Sequence, residues 1–598
     1  MHLYRTAWLV VLLPLLLVAF TITRPAPLPR STTALAPTFD ARQAARRARE
    51  LAALYPERAP GTPASGDAAA WVRKQLTSLG LRTKVDVSAG TIPGRGRALL
   101  RNVVAVVPGH SLDPLVVIAH RDSTPGQPGQ DDNASGTGAL IELARAYTAT
   151  RSGTAGGVSP NHTLLFVSTD AGAFGLLGAR ALARSGRLDR AVAVVALDAI
   201  ASGGRPYVAV AGRGPRSPDP RLVATVSARL GEEGPHARLS SPLAQLIDLA
   251  FPFGLTEQLE LVSRGVPAVA VSGGGARPQR RLDLAAMERI GTATESALAS
   301  LDASLEPAVP SRVHIYSRGR VFQGWAIILV YVAVLVPFAV ALTDLMARLR
   351  RWRVPLGPAA RSFGRRLAFW LWAGVVFLLF GLAGAWPDGD PAPINPDSQA
   401  AGHWPRLALA LYALAVVGSW LVARTRLVRR GPVAPEDEVA GMGVALAALA
   451  GIALVLIVTN AYALLFVLPS AHAWLLLVQH RDRRAWARAA LYLLGLTGPL
   501  LLLGSVAFRF GLGLDAPWYL AELAAVGYVP KVGLVLSLAW AAVAAQVYAV
   551  AAERYAPYPP RAERPTRGPI GSGIAFFRTP HKRRALTHTR AGEGDASE

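Results

Sequence analysis

Hydrophobic positions follow two rhythms along this chain, and the change between them falls near Gly324. After it, long apolar runs follow one another at 324–346, 367–386, 407–422, 439–458, 462–478, 489–508 and 532–552. Most approach the roughly 20 residues that a helix needs to cross a bilayer. The run 407–422 is short, and only a few residues near Asn460 separate 439–458 from 462–478. One more run, 7–22, opens the chain after Arg5 and contains Pro14. It reads as a signal-peptide core or a membrane anchor, and Thr23-Arg24-Pro25 offers no small-x-small cleavage site, which favours the anchor. The pattern therefore predicts an N-terminal transmembrane anchor over 1–23 and an all-α multi-pass bundle of about seven helices over 324–552. The Pro- and Arg-rich tail 553–598 is expected to be a disordered, basic, cytoplasmic segment.

Before Gly324 the rhythm is shorter. Ala44, Ala48, Leu51, Ala52 and Leu54 recur at helical spacing within 39–55, and 68–79 reads as a second amphipathic helix. Short β-branched runs then appear at 103–107, 115–119, 163–167, 192–197 and 266–271. Helical segments fall between and after them: 136–147, one ending at Ala183, and 284–298. Apolar strands alternating with helices predict an α/β domain, mostly a parallel sheet with helices on both faces. Its expected limits are 39–305, with linkers at 24–38 and 306–323.

Composition and charge sharpen this division. The chain is 52% hydrophobic with a mean hydropathy of +0.31, too apolar for a wholly soluble protein. It holds 63 Lys+Arg against 39 Asp+Glu, a net charge of +24. Nucleic-acid binding is set aside, because no recognised motif is present and much of the arginine lies in short clusters between apolar runs. Arg348, Arg350, Arg351, Arg353, Arg361, Arg365 and Arg366 form one cluster, Arg424, Arg426, Arg429 and Arg430 a second, and Arg481, Arg483, Arg484 and Arg488 a third. They alternate with 387–405, which carries Asp388, Asp390 and Asp397 and no Lys or Arg. Arg-rich loops face the cytoplasm, so both termini are expected there and 24–323 outside. Anionic membrane lipids suit the same clusters. The spans nearly lack ionisable side chains, which argues for an anchoring or partner-binding bundle over a transport path. His472 is the one candidate in them, expected to be packed or interfacial. With 0 cysteines, disulfides, thiolate zinc sites and a cysteine nucleophile are all excluded.

The candidate chemistry sits where the predicted strands end. His120 and Asp122 follow one strand, Asp170 another and Asp198 a third. In open α/β sheets that edge is where sites form. One aspartate there is usually a turn or helix cap; several with a histidine point toward a metal.

At these residues the chain resembles the zinc aminopeptidase family of metallopeptidase clan MH, of the aminopeptidase Y and glutamate carboxypeptidase type. "ERAPGTPASGDAAAWVRKQLTSLG" is similar to the family's opening, "VVIAHRDS" to its His-x-Asp motif, and "GQDDNASGTGALIELAR" to the motif with the bridging aspartate. "TLLFVSTDAGAFGLLGAR" resembles the strand that bears two glutamates, "VVALDAI" the later aspartate, and "RGVPAVAV" a strand near the end. The order and spacing of the pieces carry the resemblance over roughly half the chain. It implies a zinc-peptidase fold in which His120 binds a first zinc, Asp132 bridges to a second, and Asp198 completes the first. Asp122 would orient His120 through its far ring nitrogen.

The same resemblance exposes losses. The family pattern Asp-x-Glu-Glu-x-Gly-Leu reads here as Asp170-Ala171-Gly172-Ala173-Phe174-Gly175-Leu176. Gly172 stands in place of the general base and Ala173 in place of a ligand of the second zinc. The stretch "SGGGARPQRRLD" after the last strand holds no histidine to serve as the final ligand. One zinc at most is therefore expected. Asp170 is a candidate substitute base, with Glu257 and Glu260 as further carboxylates that have no positional support. The implied function is a membrane-bound, hydrolytically impaired member acting in peptide or protein-partner binding outside the cytoplasm. The alternatives are an active metallopeptidase with a rearranged site, and a transporter or assembly factor with an accessory ectodomain.

Overall fold

A computed structural model of the chain describes residues 2–30, 36–93, 95–124, 129–152, 159–274, 281–303, 312–393, 396, 405–428, 435–479, 485–552, 554–555 and 557. The chain opens with α1 (His2–Ala7) and α2 (Leu9–Thr21). Two helices, α3 (Ala41–Leu54) and α4 (Pro63–Ser78), lead into the sheet. Both are capped from the sequence: Asp40 accepts from the amides of Arg42 and Gln43, and Thr62 from that of Ser65, ahead of Pro63 at the first turn. Next come β1 (Arg82–Ile92), β2 (Gly96–Val107), β3 (Ser111–His120), α5 (Gly136–Ser152), β4 (His162–Thr169), α6 (Leu177–Arg184), β5 (Ala193–Asp198) and β6 (Tyr207–Ala209). The domain continues through α7 (Pro220–Glu232), α8 (Pro242–Ala250), α9 (Gln258–Val262), β7 (Ala268–Ser272) and α10 (Leu284–Asp302), and ends in a hairpin, β8 (His314–Ser317) and β9 (Arg320–Gln323).

The seven strands β1 to β7 form one sheet in the order β1-β2-β4-β3-β5-β7-β6. The central four, β4, β3, β5 and β7, are parallel, whereas β1, β2 and β6 pair antiparallel at the flanks. The expected α/β class holds as a mixed sheet. The parallel strands are buried on both faces, and Val116, Val117, Ile118, Val194, Val195, Val269 and Val271 are closed off from solvent, as doubly covered strands require. The β1–β2 hairpin was not foreseen over 82–99, because β1 leaves most of its residues partly or fully exposed and lacks an apolar run.

Described parts of the expected linkers pack on the domain. Leu28 packs on the domain core and its amide donates to Thr225 Oγ1 at 2.9 Å; Tyr316 and Val321 of the β8–β9 hairpin lie inside that core. Thr23 bridges to Val321 as well. Apolar side chains at Leu28, Tyr316 and Val321 tie these described stretches to the domain core.

The C-terminal part is helical: α11 (Gly324–Arg351), α12 (Gly357–Leu382), α13 (Arg406–Leu427), α14 (Pro435–Asn460), α15 (Leu464–Gln479), α16 (Ala485–Gly495), α17 (Thr497–Arg509), α18 (Ala516–Ala525) and α19 (Lys531–Ala551). Among the described residues, six helical stretches are long and apolar enough to cross a membrane, or seven if the pair α16–α17, bent by 58°, is one span. One stretch of 43 residues joins α14 and α15, and it breaks at Asn460, which is extended with φ −155° and ψ 94°. The tail beyond residue 552, apart from Arg554, Tyr555 and Pro557, lies outside the described residues, as do Asp397, Arg429, Arg430, Arg481, Arg483 and Arg484.

Domain and bundle share a core. Ala171, Phe174, Leu177 and Phe253 of the domain pack with Val506, Tyr519 and Leu523 of the helices, with Tyr528 between α18 and α19, and with Ala392 between α12 and α13. Polar contacts seal this seam. Tyr528 donates to Pro252 O at 2.6 Å, Arg509 pairs with Asp248 at 2.6 Å, and the carbonyl of Pro391 accepts from Arg180 and Arg213 at 3.0 Å.

Candidate metal centre

β3 and β5 run side by side and end together, so their last side chains emerge at one edge of the sheet. His120 closes β3 and Asp198 closes β5. The third member arrives from the turn before α5. Asn133 pins that turn: its Nδ2 donates to Leu197 O at 2.7 Å, and its Oδ1 accepts from the amides of Gly136 and Ala199 at 3.1 and 3.0 Å. Asp132 is thereby brought beside Asp198. His120 Nε2 lies 3.4 Å from Asp132 Oδ1 and 3.8 Å from Asp198 Oδ1. One ligand atom from each of the three falls within 4.8 Å of the others. An imidazole nitrogen with two carboxylate oxygens is a donor set for zinc, with room for exogenous ligands at the remaining position. The residues present fit one ion.

The other face of the imidazole is held by Asp122, whose Oδ1 is 3.3 Å from His120 Nδ1. Asp122 is itself fixed by the loop after β4, accepting from the amides of Gly172 at 2.7 Å and Ala173 at 2.9 Å. Burial alone would lift the Asp122 carboxyl; His120 and the two amides outweigh it and hold it below its usual range. Burial would likewise depress the His120 imidazole, but Asp122, Asp132 and Asp198 reverse this and raise it well above the ordinary value. Burial, with Asp132 nearby, pushes the Asp198 carboxyl up against the pull of His120. Three carboxylates around one imidazole make a charge balance that suits a cation.

The loop after β4 packs directly against the imidazole at Gly172. A Cβ on Gly172 would overlap the Cβ and Cγ of His120. Ala171 and Leu176 in this loop, and Ala199 after Asp198, carry φ values of 54°, 60° and 42°. Non-glycine residues in the left-handed region are strained, and here three of them border the site. The loop's outer side packs into the seam: a Cβ on Gly175, at φ 92°, would overlap Ala392.

Asp170, the candidate substitute base, is placed elsewhere. Its Oδ2 accepts from Arg121 Nη2 at 2.8 Å and from the Arg101 amide at 3.0 Å, and its Oδ1 from the Ala171 amide at 3.0 Å. Ser65 Oγ lies 3.3 Å away as well. A carboxylate committed to a buried guanidinium and two amides is not presented to a substrate. Arg121, fully buried, also donates to Ser168 O at 3.3 Å and Thr169 O at 3.1 Å, stitching β3 to β4. Arg58 clamps the Gly129 carbonyl at 3.0 Å, and burial lowers its pKa to about 10 against the pull of Asp122 and Asp132.

The two remaining glutamates part company. Glu260 pairs with Arg180 at 3.0 Å and Arg213 at 3.1 Å. Glu257 has no cation partner among the described residues. Its Oε1 accepts from Thr169 Oγ1, and Oε2 is buried without a hydrogen-bond partner. Burial pushes its carboxyl up to about 7, against the pull of His120. Residues 275–280, where the family's last ligand would fall, lie outside the described residues, and the sequence there has no histidine.

Residues 102–271 match the sequence profile of Peptidase family M28. No curated protein matches the chain. Among solved structures, the chain is similar to Porphyromonas gingivalis glutaminyl cyclase, with 18% identity over 44% of this chain and 98% of that one, at a TM-score of 0.36. It is similar to BSAP, a zinc aminopeptidase from Bacillus subtilis, with 14% identity over 44% and 95%, at a TM-score of 0.35. An aminopeptidase from Aneurinibacillus sp. strain AM-1 matches with 14% identity over 47% and 96%, at a TM-score of 0.34.

Proposed function

We propose that this is a membrane-bound protein whose peptidase-like domain holds one zinc ion through His120, Asp132 and Asp198, outside the cytoplasm, and recognises the end of a peptide or partner protein there. Hydrolysis by the family's two-glutamate route is absent from this reading. The observation that carries it is the pairing of a converged ligand set with Gly172, whose Cβ direction is filled by His120 itself. The match to Peptidase family M28 across the same residues supports it.

Zinc, when bound, would polarise a carbonyl oxygen and acidify water. The chain's own residues do the rest. Asp122 orients His120, Asn133 holds Asp132 beside Asp198, and the strained turn at Ala199 aims Asp198 into the edge. By the resemblance, the general base is missing at Gly172, and the second metal position lacks both a Glu at Ala173 and a histidine after β7. Loss of a general base typically removes a factor of about 10²–10⁴ in rate.

The test uses the full chain in detergent, because domain and bundle share a core. Binding of a fluorescent peptide with a free amino end should strengthen when zinc is added and vanish in His120→Ala. Equal binding with and without zinc counts against the reading. For orientation, a reporter active only in the cytoplasm should be silent when fused at Ser65 and active at Arg351. The retained-hydrolysis reading is favoured by one observation, the state of Glu257.

A further inference from the structure

Thr169, the last residue of β4, lies directly across from His120 in the sheet register. Its hydroxyl donates to Glu257 Oε1, which sets the Glu257 carboxylate against the same strand ends that carry the metal-binding residues. Glu257 enters from outside the sheet, at the residue just before α9. It is only 3% exposed, and Oε2 has no hydrogen-bond partner. A buried carboxylate is ordinarily paired with a cation or several donors. Its neighbour in sequence, Glu260, follows that rule with two arginines. Glu257 breaks it beside a cluster that already holds Asp122, Asp132 and Asp198. The charges of His120, Asp122 and Asp198 reach it, yet it is not within the set whose ligand atoms lie mutually within 4.8 Å.

We propose that Glu257, reached from α9, takes over the acid–base role of the glutamate replaced by Gly172, with its Oε2 facing the reacting water. This rests on the metal reading above. In the reaction Glu257 takes one proton from water as the water oxygen adds to the peptide carbonyl carbon. It returns that proton to the amine nitrogen as the carbon–nitrogen bond breaks. One water is consumed, one carboxylic acid and one amine are formed, and Glu257 ends as it began. The raised carboxyl of Glu257, near 7 because of burial, suits a group that accepts and returns a proton at neutral pH. Thr169 is a positioning residue that holds Oε1 and leaves Oε2 toward the site. The site would then be rearranged: the carboxylate comes from a helix start instead of the strand loop, and activity persists below that of a two-metal enzyme.

The experiment compares full-length wild type, Glu257→Gln, Glu257→Asp and Thr169→Val in detergent. Zinc affinity is measured by chelator competition, and turnover on leucine p-nitroanilide with zinc bound. Wild type should turn over slowly. Glu257→Gln should lose about 100-fold or more in kcat, with KM and zinc affinity each within about threefold. Thr169→Val should fall by about tenfold, again in kcat, and Glu257→Asp should lie between wild type and Glu257→Gln. Should Glu257→Gln fail to fold, Glu257→Asp and Thr169→Val carry the same comparison. The proposal is overturned if Glu257→Gln keeps wild-type turnover, if its zinc affinity falls tenfold or more alongside activity, or if zinc-loaded wild type has no turnover. A wild type that binds no zinc overturns the metal reading itself.

Discussion

Two buried polar regions of this chain balance their charges in opposite ways. In the helical bundle, Arg366 donates to Ser362 O at 3.1 Å, Gln546 Oε1 at 2.6 Å and Leu427 O at 2.6 Å. His472 lies 3.0 Å from Tyr4 Oη through Nδ1 and 3.0 Å from Val334 O through Nε2, which ties the N-terminal helix to α15 and α11. Arg366 and His472 are thus held by neutral hydroxyl, amide and carbonyl groups. At the carboxyl edge of the sheet, one imidazole faces Asp122, Asp132 and Asp198, and Glu257 adds an oxygen without a partner. A buried excess of carboxylate is costly unless a cation is supplied. Two histidines in one protein thus have different meanings: His472 is a saturated packing residue, and His120 is the centre of an unbalanced site.

The largest effect expected from this contrast is at the histidines. His120→Ala should abolish zinc binding by the full chain, while His472→Ala should leave zinc affinity unchanged and loosen only the docking of α1 and α2. Zinc titration of both variants checks this, and parallel losses would erase the distinction. Next, Gly172→Glu should damage the site instead of improving it. Its Cβ competes with the His120 ring, so zinc affinity should drop and stability fall by about 1–3 kcal/mol, the usual cost of overpacking; thermal unfolding with and without zinc reads both. Asp122→Asn places an amide donor against the Gly172 or Ala173 amide and removes the charge that orients His120. Zinc should bind about 10–100-fold more weakly.

The smallest effect lies at the seam. Asp248 is raised to about 6 by burial, with Arg509 pulling it down. The folded chain therefore binds this proton more tightly than the unfolded one. The contribution is fully present below the unfolded value of 3.8 and is lost as pH rises through about 6. The shift bounds the loss near 3 kcal/mol, and the partial exposure of the side chain, 11%, brings the expectation to about 1 kcal/mol. Asp248→Asn should flatten the decline in thermal stability between about pH 4 and pH 6. An unchanged slope would mean that Asp248 is ionised throughout.

Much of this was legible because His120 and Asp198 each interrupt an apolar strand at its end, where a polar residue has no packing reason to be. The long apolar runs after Gly324 were legible by length alone. Other parts were not. β1 is an edge strand with mixed polarity, so it lacks the apolar signature that marked the inner strands. Asp170 looked available as a base until Arg121 turned inward to meet it. Glu257 is distant in sequence from every strand end it approaches, and only the folding of α9 onto Thr169 brings it there. Asn133 and Arg58 work through backbone carbonyls and amides, contacts that no residue pattern announces.

The central claim is that the sheet edge holds one cation where the bundle holds none. Elemental analysis of the purified full-length protein, after dialysis against trace zinc, tests it most directly. The account predicts one zinc per chain in the wild type and in His472→Ala, and none in His120→Ala. Two tightly held zinc ions per chain, or one that survives His120→Ala, would contradict it.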